Sequence, residues 1–263
     1  MFTAALALQN QTRQLMPPIA DGTLLAQFHA DFAILTAGTP EHIREALRIR
    51  HQVYCVENSF ETKAGGAQGI ETDQFDSHAA HAILLCRHTG MTLGTVRLVL
   101  PLADAEERSF PLERFLDSQS ARELRSLPRL STAEISRFSI SRHSRSLMRK
   151  AADGGPQAAD APAHYGPLLR LGLMQGLGQM SKSHGITHCC ALMEPTLLRM
   201  LEAMAIRFHP IGKPVEFHGL RQPCYVDIAE MSKEVRRERP AFWDVLSDGG
   251  LLAPAPRLLR AVN

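Results

Sequence analysis

Three groups of charged and aromatic residues, in one order along the chain, have the types and spacing of an active site. Each group lies at the edge of an apolar stretch, where an unpaired charge is costly, so the charges should converge beside a core. A glutamate in such a setting can accept a proton, paired aspartates can bind an ammonium group, and arginines can bind a carboxylate. The groups are Arg50, Tyr54 and Phe60; Asp73 and Asp76; and Arg97, Glu134 and Arg137.

Each of these assignments has a simpler structural alternative. Glu134 and Arg137 would also fit a salt bridge on one strand. Asp73 and Asp76 would also fit a loop cap or a solvated acidic patch, and an arginine taken alone is most often a surface residue. The two aromatic residues of the first group would equally suit a core. The sequence leaves these alternatives open.

The length and composition limit the class of protein. A chain of 263 residues with 44% hydrophobic and 21% charged residues suits one large domain or two small ones. Its formal net charge of +2, with both signs interspersed, gives no bulk electrostatic case for a nucleic-acid partner. No apolar run approaches the roughly 18 residues that span a bilayer. We therefore expect a soluble chain, with peripheral membrane contact left open.

The cysteines and histidines favour a reducing compartment without a metal site. The 5 cysteines are odd in number and scattered, and they lack the paired spacing of a zinc site or a disulfide framework. The histidine groups at 78–81 and 184–188 lack a second ligand pair, so we interpret them as scaffold. No thiol lies in a recognisable nucleophile motif, which argues against a Cys-His hydrolase. These features predict a cytoplasmic location and no bound metal.

Hydrophobic periodicity and capping residues predict alternating helices and strands. Thr39 and Pro40 are the N-cap and first-turn proline of a helix that runs to Tyr54. The glycine-containing segment 57–75 is predicted to be a mobile loop and a candidate lid. The later predicted elements are hairpin strands (79–87 and 93–100), a helical turn (111–115), a strand (133–141), a long helix (165–184), a strand (186–193), a helix (195–204) and two strands (206–211 and 215–228).

This order of elements predicts an α/β fold with a mixed central sheet flanked by helices. The main domain is predicted over residues 36–230, after an N-terminal extension of residues 1–35. Segment 142–164 is basic at first and then rich in Ala, Gly, Asp and Pro, so a flexible insertion is predicted there. Residues 231–263 are predicted to form a C-terminal helical extension.

The motifs resemble those of the acyl-homoserine-lactone (autoinducer) synthases and their relatives, the N-acyl amino acid synthases. The first group resembles that family's arginine followed by two aromatic residues at the same spacing, and residues 134–138 resemble its Glu-x2-Arg-Phe strand motif. Three longer phrases, at 97–101, 134–138 and 218–223, resemble the PEP-CTERM/exosortase-associated acyltransferases. The resemblance covers about residues 44–227 and implies the GNAT-like (acyl-CoA N-acyltransferase) fold.

The resemblance also implies N-acylation, in which a neutral amine attacks a thioester carbonyl. Glu134 is the implied general base, direct or through water, because an α-amino group is largely protonated near neutral pH. Arg137, Phe138 and Ser139 complete the catalytic set, with a backbone N–H near Phe138 or Ser139 bonding the thioester oxygen. The implied acceptor site has acids for the ammonium group, arginines for those acids or for a carboxylate, and aromatic residues that exclude water: Arg50, Tyr54, Phe60, Asp73, Asp76 and Arg97.

The acyl donor is predicted from what segment 141–166 lacks. Coenzyme A users of this fold usually carry a Gln/Arg-x2-Gly-x-Gly/Ala loop there, and this chain has no clean copy. The resemblance therefore implies an acyl-phosphopantetheine thioester on acyl carrier protein as co-substrate, with no tightly bound cofactor. The candidate contacts to that acidic partner, which would equally be a solvated basic loop, are Arg142, Arg145, Arg149 and Lys150. The apolar faces of 168–177 and 197–204 are either the border of an acyl tunnel or ordinary core.

We predict an N-acyltransferase that moves a medium or long acyl chain from acyl carrier protein to the amine of an amino acid or related small molecule. An autoinducer synthase that uses S-adenosylmethionine and releases methylthioadenosine is the alternative. A noncatalytic acyl-carrier or lipid-binding module is a second alternative, because a fold alone does not define an activity. The sequence does not specify the acyl chain length, the acceptor or the oligomeric state.

Overall fold

An eight-stranded sheet forms the centre of the fold in the computed structural model, which describes residues 23–60, 69–103, 110–152 and 165–254. Its strands are β1 (Phe32–Thr36), β2 (Ala79–Cys86), β3 (Thr92–Val99), β4 (Thr132–Ile140), β5 (His188–Met193), β6 (His209–Pro210), β7 (Val215–Glu216) and β8 (Leu220–Asp227). They lie in the order β1-β2-β3-β4-β5-β8-β6, and β7 pairs with β8. Every described pair is antiparallel except β4 and β5, which are parallel. The predicted mixed sheet is therefore confirmed.

Helices cover both faces of this sheet. They are α1 (Thr23–Asp31), α2 (Pro40–His51), α3 (Ser118–Ser126), α4 (Arg142–Ala152), α5 (Tyr165–Ser183), α6 (Pro195–Ala203), α7 (Ile228–Glu238) and α8 (Pro240–Ser247). A π-helical segment and three short 3₁₀ helices join them: Gln52–Glu57, Gln74–His78, Pro111–Phe115 and Arg129–Ser131. Within the described residues, no helix is both long and apolar enough to cross a membrane.

Helix α2 begins where the capping residues predict. Thr39 Oγ1 accepts a hydrogen bond from the backbone N–H of His42 at 3.3 Å, and Pro40 lies in the first turn. The α-helix ends at His51, and the chain continues as the π-helical segment Gln52–Glu57. Because a π-helix is wider than an α-helix, this segment re-aims the side chains that follow His51. Such segments are frequent at functional sites.

Helix α5 packs very closely on one face of the sheet because two of its residues are glycines. A Cβ atom on Gly172 would lie 2.8 Å from the Phe28 ring, and one on Gly176 would lie 2.8 Å from Ala82 Cβ. Any larger residue would push the helix away from α1 and β2. The main core fills this face and includes Leu84, Leu98, Leu173, Val235, Phe242 and Val245.

The opposite face carries the residues that the sequence singled out. The strand register places Val99, Glu134, Cys190 and Tyr225 in one row across β3, β4, β5 and β8. Residues that oppose one another across paired strands project to the same face, so these four side chains are neighbours. The smaller apolar cluster on this face consists of Phe75, Val99, Phe110, Leu112, Leu124, Cys190 and Ile211.

The domain limits differ from the predicted ones at both ends. Strand β1 pairs with β2 along its full length, so residues 23–35 belong to the sheet domain and not to an extension. Helices α7 and α8 are helical as predicted, but their apolar side chains belong to the main core. Buried apolar area ties both segments to the domain, because those side chains would otherwise face water.

Two loop predictions are corrected in part. Composition predicts a flexible insertion at 142–164, but residues 142–152 form α4, and 153–164 lie outside the described residues. The predicted mobile loop 57–75 ends in the 3₁₀ helix Gln74–His78, and its residues 61–68 also lie outside the described residues. The sequence did not predict α4 because most of its residues are polar or charged. A helix that buries only one face can have such a composition.

Candidate active site

A bulge interrupts β4 in the middle of the predicted site. Arg97 of β3 opposes Ser136, whereas Thr95 opposes Ser139, so β4 has one residue more than β3 between these two pairs. Arg137 takes up this extra length with a φ of 52°, a left-handed conformation that is strained for a residue with a side chain. Strain of this kind persists only where the surroundings hold it, and it concentrates at functional sites.

Strands β4 and β5 separate just before the bulge. Their pairing joins Thr132–Ile135 to His188–Ala191 and, within the described chain, extends no further. No described strand therefore pairs with Ser136–Ile140 on the β5 side. The sequence predicts in this stretch a backbone N–H, of Phe138 or Ser139, that bonds the thioester oxygen.

Two fully buried arginines organise an ionic network beside the bulge. Arg50 donates from Nε to Glu71 at 2.5 Å and from Nη1 to Asp76 at 2.5 Å. Arg97 donates from Nη1 to Asp73 at 2.6 Å and to Asp76 at 2.8 Å. The acids are less buried than the arginines, with 24% of the Asp73 side chain exposed. The network therefore has a buried cationic side and an acidic side nearer to solvent.

Arg137 completes the network from the bulge. It donates from Nη2 to Glu71 at 2.9 Å and to Asp73 at 3.3 Å. Its guanidinium also lies over the Tyr54 ring, 4.9 Å from the ring centroid. Three arginines and three acids thus balance in formal charge, which is the arrangement that makes buried ions tolerable.

The pKa values of the acids follow from these contacts. Burial raises the pKa of Glu71, but hydrogen bonds from Arg137 and Arg50 outweigh it and hold the pKa at about 2. The pKa of Asp76 is likewise lowered, because its bonds to Arg50 outweigh its burial. Beneath them, burial and the charge of Arg50 lower the pKa of His81 to about 4. At neutral pH both carboxyl groups are ionised and His81 is uncharged.

The two aspartates also cap the 3₁₀ helix Gln74–His78. Asp73 accepts from the backbone N–H of Phe75 at 2.9 Å, and Asp76 accepts from the backbone N–H of Asp73 at 2.7 Å. The loop-cap alternative therefore holds for both residues alongside their ion pairs. The reciprocal cap fixes the acids before any ligand binds, and fixed charges need no reorganisation during a reaction.

Glu134 lies apart from the network and is 2% exposed. Its Oε2 accepts a hydrogen bond from the backbone N–H of Leu112 at 2.9 Å. Burial raises the pKa of Glu134 to about 8, although the Leu112 bond and the charge of Arg97 act in the opposite direction. The ion pairs of Arg137 go to Glu71 and Asp73, so the simple Glu134–Arg137 salt bridge is not the main role of either residue. A carboxyl group with this pKa can exchange a proton near neutral pH.

An aromatic row closes one side of the site. The rings of Tyr54 and Phe60 have centroids 6.3 Å apart, and the Phe60 ring stacks on His218 with centroids 5.3 Å apart. The centroid of the Phe217 ring lies 4.3 Å from that of His218 and 4.6 Å from that of Phe115. These contacts extend the row toward the turn that carries Leu112. The sequence pairs Tyr54 with Phe60 as an aromatic wall, and the two rings do lie together.

The turn between β7 and β8 supplies residues that the sequence did not assign. His218 has a left-handed φ of 51°, and Gly219 follows with a φ of 94°. Arg221 holds this turn, donating from Nε to the Phe217 carbonyl at 3.1 Å and from Nη2 to the His218 carbonyl at 3.0 Å. The signal was present in the phrase 218–223, which the sequence comparison noted without giving its residues a role.

Glu71 is the acid that the sequence missed. It accepts from both Arg50 and Arg137, so it joins the first motif to the third. The charges of the motifs could have indicated it. Arg50, Arg97 and Arg137 need three acidic partners if they are buried, and the motifs supplied only Asp73 and Asp76. Sequence spacing alone does not reveal that a residue 21 positions from Arg50 faces it.

The predicted carrier-protein residues lie on or at the start of α4. Arg142 is mostly exposed, and Arg145 is half-buried with an Nε that finds no hydrogen-bond partner among the described residues. Arg170 of α5 is close enough that burial together with the charge of Arg145 lowers its pKa. Arg149 and Lys150 lie in α4, and their side chains are outside the described part of the structure.

A narrow cleft that opens to solvent lies on the other face of the sheet, and its empty space of about 500 Å³ includes the solvent at its mouth. Ile135 and Cys189 line it from β4 and β5, while Met174, Leu177 and Ser181 line it from α5. Ile135 is the residue next to Glu134 and the last of β4 to pair with β5, so the cleft reaches the point where the two strands separate. Of the segment 168–177, Met174 and Leu177 line the cleft and also belong to the main core, whereas none of the lining residues comes from 197–204.

Comparison with known proteins agrees with this geometry. Residues 49–150 match the family described as "Acetyltransferase (GNAT) domain". No curated protein matches the sequence. The fold is shared with TofI, solved in a ternary complex with an inhibitor and MTA, at 19% identity and a TM-score of 0.51, with 81% of this chain and 99% of that chain covered.

Two other solved structures are similar at lower scores. The AHL synthase LasI has 14% identity and a TM-score of 0.49, with 74% of this chain and 89% of that chain covered. FeeM, an N-acyl amino acid synthase from uncultured soil microbes, has 13% identity and a TM-score of 0.48, with 77% and 94% covered. The class of protein follows from the matched domain, the sheet and the site: a GNAT-like fold that carries an acyltransferase.

Proposed function

We propose that this acyltransferase moves a medium or long acyl chain from acyl carrier protein to the amine of an amino acid or related small molecule. The observation that carries the proposal is Glu134, a buried carboxyl group with a pKa of about 8 on the strand that separates from β5. A base of this kind suits an amine acceptor, whose own proton must be removed near neutral pH.

The proposed reaction uses each part of the site once. Glu134 takes one proton from the acceptor ammonium, directly or through a water molecule, and the neutral amine then attacks the thioester carbonyl carbon to form the new C–N bond. A backbone N–H at Phe138 or Ser139 bonds the oxygen of the tetrahedral intermediate. The C–S bond then breaks, and the sulfur of phosphopantetheine leaves with the proton that the acylated nitrogen gives up.

The ionic network would orient the acceptor. Asp73 is the most exposed of its acids, so the acceptor ammonium would meet Asp73 first. Because Arg50, Arg97 and Arg137 already pair with the three acids, the network would present a fixed charge pattern without collapsing around the ligand. Tyr54 and Phe60 would exclude water from the same space.

The cleft behind β4 and β5 is our candidate for the acyl chain. Helix α5 directly precedes β5 in the crossover between the parallel strands β4 and β5, so we take it to run back along the sheet, antiparallel to both. Met174 therefore lies nearer the opening, and Ser181 lies nearer the far end of the cleft. A chain entering between the strands would pass Ile135 and extend toward Ser181. The largely apolar lining suits a hydrocarbon tail.

We expect Gly178→Leu to shorten the preferred acyl chain. A Cβ on Gly178 would lie 3.6 Å from Leu252 Cδ1, so a methyl group fits and a larger side chain fills the cleft. Each methylene that loses its site costs about 0.8 kcal/mol. The preferred chain should shorten by roughly two to four carbons, measured as kcat/KM across a series of acyl donors. Gly178→Ala is the matched control and should keep the wild-type profile; an unchanged profile in Gly178→Leu would place the acyl chain elsewhere.

The carrier protein would dock at α4. Arg142, Arg145 and Arg170 offer positive charge there, and Arg149 and Lys150 belong to the same helix. Leu147 on α4 and Val56 on the π-helical segment are exposed apolar residues, at 37% and 52%. A positive rim with apolar contacts suits an acidic carrier domain, whose attraction would fall as salt rises. A cytoplasmic location and a role beside PEP-CTERM/exosortase proteins complete the proposal, the latter from the motif resemblance alone.

A second candidate is an autoinducer synthase that uses S-adenosylmethionine. It is favoured by the Glu134 to Phe138 motif and by the aromatic row, which offers Phe60 and His218 to a flat ligand. This reaction would end with lactone closure and release methylthioadenosine. The two candidates share the acylation step and differ only in the acceptor and the second product.

The testing experiment compares products of the purified wild type and Glu134→Gln by mass spectrometry. Acyl carrier proteins loaded with chains of increasing length are supplied with pools of amino acids, or with S-adenosylmethionine. An N-acyl amino acid formed by wild type alone supports the leading proposal, and methylthioadenosine with an acyl-homoserine lactone supports the second. Equal product formation by Glu134→Gln would remove the proposed base, and absence of product with every donor would leave the noncatalytic module.

A further inference from the structure

Glu57 joins the acceptor side of the site to the start of α4. It is the last residue of the π-helical segment that follows α2, and 7% of its side chain is exposed. Its Oε1 accepts from Ser141 Oγ at 2.7 Å and from the His143 backbone N–H at 3.0 Å, while its Oε2 accepts from the Arg142 backbone N–H at 2.9 Å. Both carboxylate oxygens are therefore used on the first turn of α4.

These bonds keep the Glu57 carboxylate ionised. Burial raises its pKa, but the hydrogen bonds from His143, Arg142 and Ser141 outweigh burial and lower the pKa. The Arg142 guanidinium is drawn to the same place, where it donates to the Glu57 carbonyl and to Asn58 Oδ1. A negative charge of the protein itself thus occupies the positive end of the helix dipole.

The remaining first-turn donor is also taken. The Ser144 backbone N–H donates to Ser141 Oγ at 3.0 Å, so the amides of Arg142, His143 and Ser144 all have acceptors from the chain. Free N–H groups at a helix start would otherwise attract a phosphate. Here a phosphate would have to displace Glu57, because its carboxylate oxygens already occupy these amides.

The position of α4 makes this occupancy relevant to the acyl donor. Helix α4 starts two residues after β4 ends, at the side of the sheet where β4 and β5 separate. Any donor whose thioester reaches Glu134 through that opening leaves its phosphate groups outside it. Coenzyme A carries a pyrophosphate and a further phosphate there, whereas a carrier protein carries one phosphodiester and adds its own protein surface.

We propose that Glu57 determines donor specificity by filling the phosphate position at the start of α4, so that coenzyme A thioesters are disfavoured and carrier-protein thioesters are used. This inference rests on the proposed function, because it concerns the donor of the same acyl transfer. A carrier protein would compensate for the lost phosphate contacts through its surface, and coenzyme A has no comparable surface.

The experiment measures binding of coenzyme A by isothermal titration calorimetry, and kcat/KM for one acyl chain on coenzyme A and on acyl carrier protein. Wild type should bind coenzyme A weakly but measurably and should prefer the carrier-protein donor. Glu57→Ala should tighten coenzyme A binding about 10- to 100-fold, the range expected for hydrogen bonds to a charged group. Glu57→Gln, which keeps the shape and removes the charge, should give a smaller gain in the same direction.

Gln52→Ala is the matched control. Gln52 donates to Glu57 Oε1 at 3.3 Å, but it leaves the first-turn amides occupied, so its donor preference should equal that of wild type. Thermal unfolding of each variant checks that the fold is retained. Should Glu57→Ala fail to fold, Glu57→Gln supplies the same comparison.

The outcomes separate this inference from the proposed function. Tight binding of coenzyme A by wild type would overturn the role of Glu57, and so would an unchanged ratio of kcat/KM for the two donors in folded Glu57 variants. Neither result would contradict acyl transfer itself. Equal losses with both donors would assign Glu57 to structure alone. Wild-type protein that transfers no acyl group from either donor would instead defeat the proposed function itself.

Discussion

Glu134→Gln is expected to lower kcat by about 10²- to 10⁴-fold, the contribution typical of a positioned general base. Glutamine keeps the size of the side chain and the acceptor for the Leu112 backbone N–H, so the fold should survive. It cannot accept the proton of the amine. Substrate KM should change little, because the amine is held elsewhere in the proposed site.

The pH dependence gives this expectation a second readout. The ionised form of Glu134 is the base and its pKa is about 8, so kcat/KM should rise with pH through about pH 8. The residual activity of Glu134→Gln should keep only the rise that comes from deprotonation of the amine itself, so its pH profile should be shallower than that of wild type. Glu113 provides a control, because its charge raises the pKa of Glu134; Glu113→Gln should keep turnover and move the rise to lower pH. A wild-type profile that is flat between pH 6 and 9 would contradict the role of Glu134.

The same pKa has a consequence for stability. The folded-state pKa of Glu134 lies above that of the unfolded chain, so the protonated form favours the folded state. The stabilisation is complete below about pH 4.5 and is lost as the pH rises through about 8. Unfolding measured between pH 6 and 9 should show a larger fall in Tm for wild type than for Glu134→Gln.

Arg50→Leu should lower the free energy of unfolding by about 3–5 kcal/mol, as expected when one partner of a buried ion pair is removed. Arg50 is fully buried and bonds both Glu71 and Asp76, and leucine would leave two acids with one partner fewer. Arg50→Lys keeps the charge but loses the forked donors, so its effect should be intermediate. Chemical denaturation of the purified variants measures the change.

The exposed arginine of a second ion-pair group serves as the control. Arg207 contacts Glu234 at 3.4 Å and Glu238 at 2.6 Å with 39% of its side chain exposed, so Arg207→Leu should cost at most about 1 kcal/mol. Equal losses for Arg207→Leu and Arg50→Leu would show that burial does not strengthen the inner network.

Acid unfolding distinguishes the inner network further. The pKa of Glu71 is depressed to about 2, so its stabilising effect is present above about pH 4.5 and is lost as the pH falls toward 2. Without Arg50 the pKa of Glu71 should move back toward its ordinary value. Arg50→Leu should therefore lose less additional stability than wild type between pH 5 and 3.

Several parts of the site were predictable because their signals are local. The hairpin of β2 and β3, the N-cap at Thr39 and the long helix α5 follow from periodicity, turn residues and capping within a few positions. The motif order also brought Arg50, Asp73 and Arg137 into one hypothesis, and the structure places them in one network. Their roles in the reaction stay predictions.

Other parts were not predictable because they depend on contacts between distant segments. Glu71 gains its meaning only when α2 and the β4 bulge approach it, and Glu57 only when the start of α4 lies beside the π-helical segment. Helix α4 itself looked like a polar insertion, since its sequence does not reveal which side is covered. Nothing local in the sequence distinguishes these residues from surface acids.

The sequence by itself determined the alternation of helices and strands, the class of reaction that the motifs fit, and the set of charges available to the site. The tertiary structure decided which charged groups form ion pairs and which acid has no arginine partner in the network. Glu71 and Asp76 pair with arginines, whereas Glu134 is buried away from them and its pKa is raised. The physical reason is that pKa values and ion pairs depend on burial and on distances of a few ångströms. Those distances arise only when β3, β4 and α2 pack together.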